Sequence, residues 1–273
     1  MIDIIPHGEH IVEFRLAAPP VNAMDVASLR ALNGAFSDAA AAGRQGVILS
    51  GVPGIFSSGI DVIALLDGDA AAVRDYWTEV FTLAARMALA PMPVVAAIGG
   101  HCVAAGTLLA LFSDYRIMAR GDWGIGLNEV RAGVTLPDCF QLALRRAVGP
   151  LGAERMLVSG SLLDPARALA LGLVDELAAP DEVVARARDK LLSLLALPRH
   201  AMLSTRAIAR ADLRDAFADV DALPVAAFVD AFLEPRTQAA LRQVAGAIKR
   251  KLQGPRPDAG VARPAGAAAA IPA

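Results

Sequence analysis

Three short stretches of this chain hold residues whose types and spacing suit chemistry on a carbonyl group. The first is Ile55-Phe56-Ser57-Ser58-Gly59-Ile60-Asp61, small and polar after an apolar run. A glycine at a bend lets the backbone approach a ligand closely. Alone, this stretch reads as an ordinary strand-to-helix turn with Asp61 near the helix start. The second is Gly99-Gly100-His101-Cys102-Val103-Ala104-Ala105-Gly106-Thr107. If a helix begins there, its first N–H groups lack internal partners and its dipole favours negative charge. Two such N–H groups converging on one point would form an oxyanion hole. Small residues also serve close helix packing, so this stretch alone is ambiguous. The third, Gly126-Leu127-Asn128-Glu129-Val130-Arg131-Ala132-Gly133, offers one carboxylate. Leu127 and Val130 beside it would desolvate Glu129, raise its pKa and suit it to proton transfer near neutral pH. The local sequence by itself favours a surface Glu129 paired with Arg131.

The elements that must position these stretches can be read from periodicity and punctuation. Val12–Leu16 is a strand ended by Pro19-Pro20. Asp25 can cap a helix to about Ala42, with Leu29, Leu32 and Phe36 on one face. Gly46–Ser50 is a short buried strand, and Gly51–Gly59 a glycine- and serine-rich loop. A helix covers about Ala70–Leu89, stopped by Pro91 and Pro93. Val94–Ile98 is a second buried strand, a helix starts near Ala104 or Ala105, and Tyr115–Ala119 is a third strand. Strands alternating with helices argue for an α/β architecture. After Pro137 the pattern is almost entirely helical, ending with a helix over about Pro235–Leu252. Residues 254–273 are rich in Pro, Ala and Gly without periodicity, which predicts disorder. The resulting division is a core over 1–197, a helical region over 198–253 and a tail over 254–273.

Composition excludes several function classes. The chain has 273 residues, 55% hydrophobic and 20% charged, which is enough for a sizeable core. A net charge of -2 gives no reason to expect nucleic acid or an anionic membrane as partner. Cys102 and Cys139 form no CxxC or Cys/His metal spacing, so no metal site and a reduced, cytoplasmic setting are expected. The start, MIDIIPHGEHIVEF, is unlike a signal peptide. Val94–Phe112 is free of formal charge, but its glycines and His101 favour a buried strand, turn and helix over a membrane span. No P-loop and no G-x-G-x-x-G is present.

Taken together, the stretches resemble the crotonase superfamily, over roughly Val12–Leu252. FSSGID is similar to its first oxyanion segment, AAIGGHCVAAGTLLALFSDYRIMA to its second, and GLNEV to the segment with its glutamate. The wording is nearest the Δ3,Δ2-enoyl-CoA isomerases, a likeness extended by APPVNAM, DYRI and RHAMLSTRA. The resemblance implies a ββα spiral giving two roughly perpendicular sheets, a helical C-terminal region, and homotrimers or dimers of trimers. It implies that the N–H groups of Ile60 and Ala105 hold a thioester oxygen. It implies that Glu129 is the acid/base. It places Ala23, Ser58, Gly59, Asp61 and Asn128 along the acyl-CoA substrate. The family usually has glycine where Ala105 stands; the donor is backbone, so alanine still supplies it.

The implied reaction moves the double bond of a 3-enoyl-CoA to trans-2-enoyl-CoA in fatty-acid β-oxidation. No cofactor is expected beyond the coenzyme A that arrives with the substrate. The hydratases carry a second glutamate where this chain has Leu108, which favours isomerisation with one carboxylate. Hydration, thioester hydrolysis and a non-catalytic acyl-CoA-binding trimer are the alternatives. Asp138, after Pro137, reads as a helix cap or an auxiliary acid. His101 reads as a histidine bonded to backbone or a substrate contact, and Cys102 as core. Tyr76 and Trp77 read as core or as packing over an acyl channel. Lys249 and Arg250 read as a solvated face, or as partners of the coenzyme phosphates.

Overall fold

A computed structural model describes residues 1–253. The chain opens with two antiparallel strands, β1 (Ile2–His7) and β2 (Ile11–Leu16). After β3 (Ala23–Met24) comes α1 (Val26–Ala41), whose cap Asp25 accepts the Ser28 N–H at 2.7 Å. Next are β4 (Gly46–Ser50), β5 (Gly54–Ser57), β6 (Gly59–Ile60) and a short α2 (Val62–Asp67). Helix α3 (Ala70–Leu89) precedes β7 (Val94–Ile98), β8 (Gly100–Val103) and α4 (Ala105–Phe112). Then follow β9 (Tyr115–Ala119), β10 (Ile125–Gly126) and one 3-10 turn (Glu129–Ala132). The rest is helical except for β11 (Glu176–Ala178). Its helices are α5 (Asp138–Ser159), α6 (Pro165–Ala170), α7 (Val183–Leu195), α8 (Arg199–Ala209), α9 (Ala211–Asp215), α10 (Val225–Leu233) and α11 (Pro235–Gln253). The disordered tail expected over 254–273 lies outside the described residues.

The strands form a six-stranded sheet ordered β1-β2-β4-β7-β9-β11, a three-stranded sheet β10-β8-β5 and a two-stranded pair β3-β6. All pairs except β1–β2 are parallel. Side chains alternate across a strand, and the large sheet uses both faces. Phe14, Val47, Leu49, Val94, Ala96, Ile98 and Met118 point into the main core. Ile11, Ile48, Val95, Ala97 and Ile117 point the other way, into a smaller core closed by Val183, Ala187 and Leu191 of α7. Being buried on both faces is why Val94–Ile98 reads as an unbroken apolar run.

Several strands fall outside the sequence expectation, β1, β5 and β6 among them. β1 was not expected because Pro6 interrupts its pattern; it is an edge strand, where a missing N–H is tolerated. The stretch 51–59, expected as loop, contains β5 and β6, which are short and rich in small residues. Among the described residues, no helix is long and apolar enough to cross a membrane. Phe112, the end of the uncharged stretch, is buried at the close of α4.

Candidate active site

The small sheet puts the three chemical stretches side by side. β5 pairs with β8 through Gly54–Gly100, Ile55–His101 and Ser57–Cys102, with an irregularity between Ile55 and Ser57. β8 pairs on its other edge with β10 through Cys102–Ile125 and Val103–Gly126. Each strand then runs into one of the stretches. β5 leads to Gly59-Ile60, β8 to the start of α4, and β10 to Asn128-Glu129.

The turn before Ile60 is built from buried polar groups. Asn22, almost fully buried, donates to the carbonyls of Leu16 at 2.9 Å and Phe56 at 3.1 Å. Ser57 donates to the Asn22 carbonyl at 2.7 Å and accepts the Gly59 N–H at 3.1 Å. Met24–Ile60 pairing in the β3–β6 ladder sets the direction of Ile60. The Tyr76 hydroxyl donates to the Met24 carbonyl at 2.9 Å, where the Asp61 N–H also arrives at 3.1 Å. Tyr76 is therefore core, but its hydroxyl braces the pair that carries Ile60. Trp77 is core too, edge-on to Phe228 and Phe232 of α10.

The two donor segments touch. Gly59 has φ +96°, a region costly for other residues, and a β-carbon there would lie 2.9 Å from the Ala104 methyl and 3.2 Å from Ala105 N. Only glycine lets the two backbones come this close. Ala104 itself sits at φ 53°, ψ -125°, a positive φ that costs a non-glycine residue about 1–3 kcal/mol. That twist starts α4 at Ala105, whose N–H lies in the first turn and has no acceptor inside the helix. Leu108, one turn on, is buried and apolar.

Glu129 opens the 3-10 turn that follows Asn128, and left-handed Gly133 closes it. α11 packs against this turn: a β-carbon on Gly133 would lie 3.2 Å from the Ala240 methyl, and the Thr237 hydroxyl lies 3.4 Å from the Gly133 carbonyl. Oε2 of Glu129 is buried and has no hydrogen-bond partner. Desolvation raises its pKa from 4.5 to about 7, opposed only by a backbone hydrogen bond. Arg131 is not its partner. The Arg131 guanidinium donates to the Gly160 carbonyl at 2.9 Å, which removes the surface ion pair that local sequence favoured. Of the two expected apolar neighbours, Leu127 is buried, whereas Val130 is 46% exposed.

The remaining candidates fall in distinct places. Ala23, Ser58 and Asn128 are half-buried and Gly59 is buried. Asp61 caps α2, accepting the Ala64 N–H at 3.0 Å. Asp138 is the first residue of α5 rather than its cap; its side chain is 85% exposed and paired with Arg145 at 2.8 Å. That points the proposed auxiliary acid to solvent. His101 accepts the Gly124 N–H on Nδ1 at 3.0 Å and stands edge-on to Trp123, and burial lowers its pKa. It is a histidine bonded to backbone. Cys102 is buried, its thiol pushed up to about 12 by desolvation, which suits packing and not nucleophilic attack. Among the described residues, no group of three His, Cys, Asp or Glu side chains is placed to hold a metal ion.

Sequence reasoning missed Asn22, Tyr76 and Thr107 as builders of the site. A signal existed for Thr107, the one polar side chain in the α4 run AGTLLALF.

A buried, unpartnered carboxylate just past a strand of the sheet that leads into the two donor segments is an arrangement suited to moving protons on a carbonyl compound. Residues 7–245 match the family described as enoyl-CoA hydratase/isomerase. The chain belongs to that family. Enoyl-CoA delta isomerase 1, mitochondrial, from Mus musculus is 36% identical over 206 residues, covering 73% of this chain and 70% of the relative. The crystal structure of human mitochondrial delta3-delta2-enoyl-CoA isomerase superposes with a TM-score of 0.87 at 30% identity, covering 93% of this chain and 99% of that one. An enoyl-CoA hydratase, EchA3, from Mycobacterium ulcerans superposes with a TM-score of 0.76 at 28% identity, covering 83% and 98%. The crotonase fold is thereby established. With membership comes the coarse function, enzymatic work on enoyl-CoA thioesters as isomerase or hydratase.

Proposed function

We propose that this enzyme moves the double bond of a 3-enoyl-CoA to give trans-2-enoyl-CoA, with Glu129 as the single proton carrier. The observation behind this reading is the buried Oε2 of Glu129, without a partner and on a carboxyl with a pKa of about 7. A base of that pKa is about half ionised at neutral pH, so it can both take and return a proton. In the proposed cycle the carboxylate removes a proton from C2 of the thioester. The electrons spread into a dienolate whose oxygen is held by the N–H groups of Ile60 and Ala105. The glutamic acid then delivers the proton to C4, and the double bond shifts. One oxyanion donor is worth about 10²–10³-fold in kcat, and acid/base help about 10²–10⁴-fold.

Leu108 supports isomerisation over hydration. Adding water is best served by two carboxylates, and the position that carries the second one in hydratases is here the buried, apolar Leu108. Asp138 turned to solvent supports the same choice. The proposed cycle calls on no metal or redox group, since coenzyme A enters with the substrate. Ala23, Ser58, Gly59, Asp61 and Asn128 are proposed to line its path. A homotrimer is the proposed assembly, supported by exposed Leu151, Val158 and Leu171, and sedimentation velocity tests it. For location the proposal is a reducing cytoplasm, supported by two free cysteines, with cell fractionation as its test.

The functional test compares 3-enoyl-CoA with 2-enoyl-CoA as substrate. Isomerisation should dominate, and Glu129→Gln should abolish it. Efficient hydration of 2-enoyl-CoA by the wild type would sink the argument from Leu108. Binding without any turnover would make the chain a non-catalytic acyl-CoA binder.

A further inference from the structure

Thr107, the third residue of α4, is fully buried in its first turn, and its hydroxyl reaches outside its own helix. Oγ1 lies 2.6 Å from the Cys102 carbonyl and 3.0 Å from the Gly126 carbonyl, and it accepts the Gly126 N–H at 3.1 Å. The Gly126 carbonyl also takes the Ala104 N–H at 2.9 Å. Both polar groups of Gly126 are thus held by the first turn of α4, one through Ala104 and one through Thr107. Gly126 is squeezed from the other side as well: a β-carbon there would stand 2.5 Å from the Ser161 carbonyl. The backbone has no slack at this point. Two residues lie between Gly126 and Glu129, and one peptide bond joins Ala104 to Ala105.

We propose that Thr107 is a positioning residue that sets the distance between the Ala105 donor and the Glu129 carboxylate by clamping Gly126 to the start of α4. This rests on the isomerase reading of the same site and adds to it the part that holds base and oxyanion donor in register. Orientation of reacting groups is costly to lose, since a misplacement of about 1 Å can cost 10²-fold in rate. A hydroxyl can both donate to Cys102 and accept from Gly126; valine, of the same shape, can do neither.

The test uses the full-length enzyme with Thr107→Val, Thr107→Ser and Thr107→Cys. Thr107→Val should lower kcat about tenfold on 3-enoyl-CoA with KM within about twofold, because the loss falls on alignment and not on binding. Thr107→Ser should recover most of the rate, since it restores both hydrogen bonds. Thr107→Cys keeps the volume with weaker bonds and should fall between; it also serves if the valine variant does not fold. Deuterium uptake over residues 124–130, measured without substrate, should quicken in Thr107→Val and return in Thr107→Ser. A folded Thr107→Val or Thr107→Cys with wild-type kcat overturns the proposal, as does a serine variant as slow as the valine one. If the wild type does not isomerise 3-enoyl-CoA, the functional reading fails, and the uptake still judges the clamp: unchanged uptake in the folded variants overturns it.

Discussion

Glu13 and Glu129 each keep carboxylate oxygen away from water, and they are provided for differently. Glu13, on β2 in the large sheet, is 4% exposed. Ser50 of β4 donates to its Oε1 at 2.5 Å, and His7 of β1 meets its Oε2 at 2.6 Å. Glu129, beside the small sheet, has Oε2 buried with nothing to accept from. Burial of a charge without partners costs free energy, and burial with partners returns most of that cost. Glu13 ties three strands together and has no vacancy for a reactant. Desolvation raises the pKa of Glu129 to about 7, where a proton can be taken up and released. A carboxylate with its partners in place serves structure, and one left wanting a partner serves chemistry.

The sharpest way to break this contrast is to neutralise Glu129. Glu129→Gln should cut isomerase kcat by about 10²–10⁴-fold, the usual worth of a positioned acid/base, and leave the circular dichroism spectrum unchanged. Retention of full activity would move the proton transfer to another group.

The same substitution should stabilise the fold above neutral pH. Glu129 binds its proton more tightly in the folded state than at its ordinary value of 4.5, so the folded state gains nothing from its ionisation. Stability is unaffected below about pH 4.5, declines as pH rises to about 7, and stays lower beyond by about 3 kcal/mol. Glu129→Gln removes that decline. Urea unfolding should therefore show equal midpoints at pH 4.5 and a higher midpoint for the variant at pH 8. Equal midpoints at both would mean that Glu129 is better solvated than its surroundings indicate.

Glu13→Gln reverses the pattern. An amide in place of the carboxylate loses charge-assisted bonds to Ser50 and His7, at a cost of about 1–3 kcal/mol in unfolding free energy. The isomerase kcat should remain as in the wild type. A drop in kcat matching that of Glu129→Gln would erase the distinction between the two carboxylates.

How far the sequence foretold this contrast depends on the kind of signal. Helix α3 and strands β7 and β9 fall where prolines and apolar runs placed them, because burial on both sheet faces leaves a pattern in consecutive residues. Glu129 stood out only through the resemblance of GLNEV to a family segment. Its neighbours in sequence pointed to Arg131, whose guanidinium instead donates to the Gly160 carbonyl, 29 residues away. Asn22, Ser57 and Tyr76 brace Ile60 across separations of up to 52 residues, and no local pattern records a partner so distant.

The smallest expected effect concerns Val130, which the sequence offered as a desolvating neighbour of Glu129. At 46% exposure its side chain already faces water, whereas Leu127 is 1% exposed and lies within the core. Val130→Ser should therefore change stability by no more than about 0.5 kcal/mol, as surface replacements usually do. The ascending limb of kcat/KM against pH reports the ionisation of the base in the free enzyme. It should stay near 7 in this variant, because the buried surroundings of Oε2 are left intact. A limb displaced toward 4.5 would show that Val130 shields the carboxylate from water, and the burial of Glu129 would then depend on the exposed rim as well as on the core.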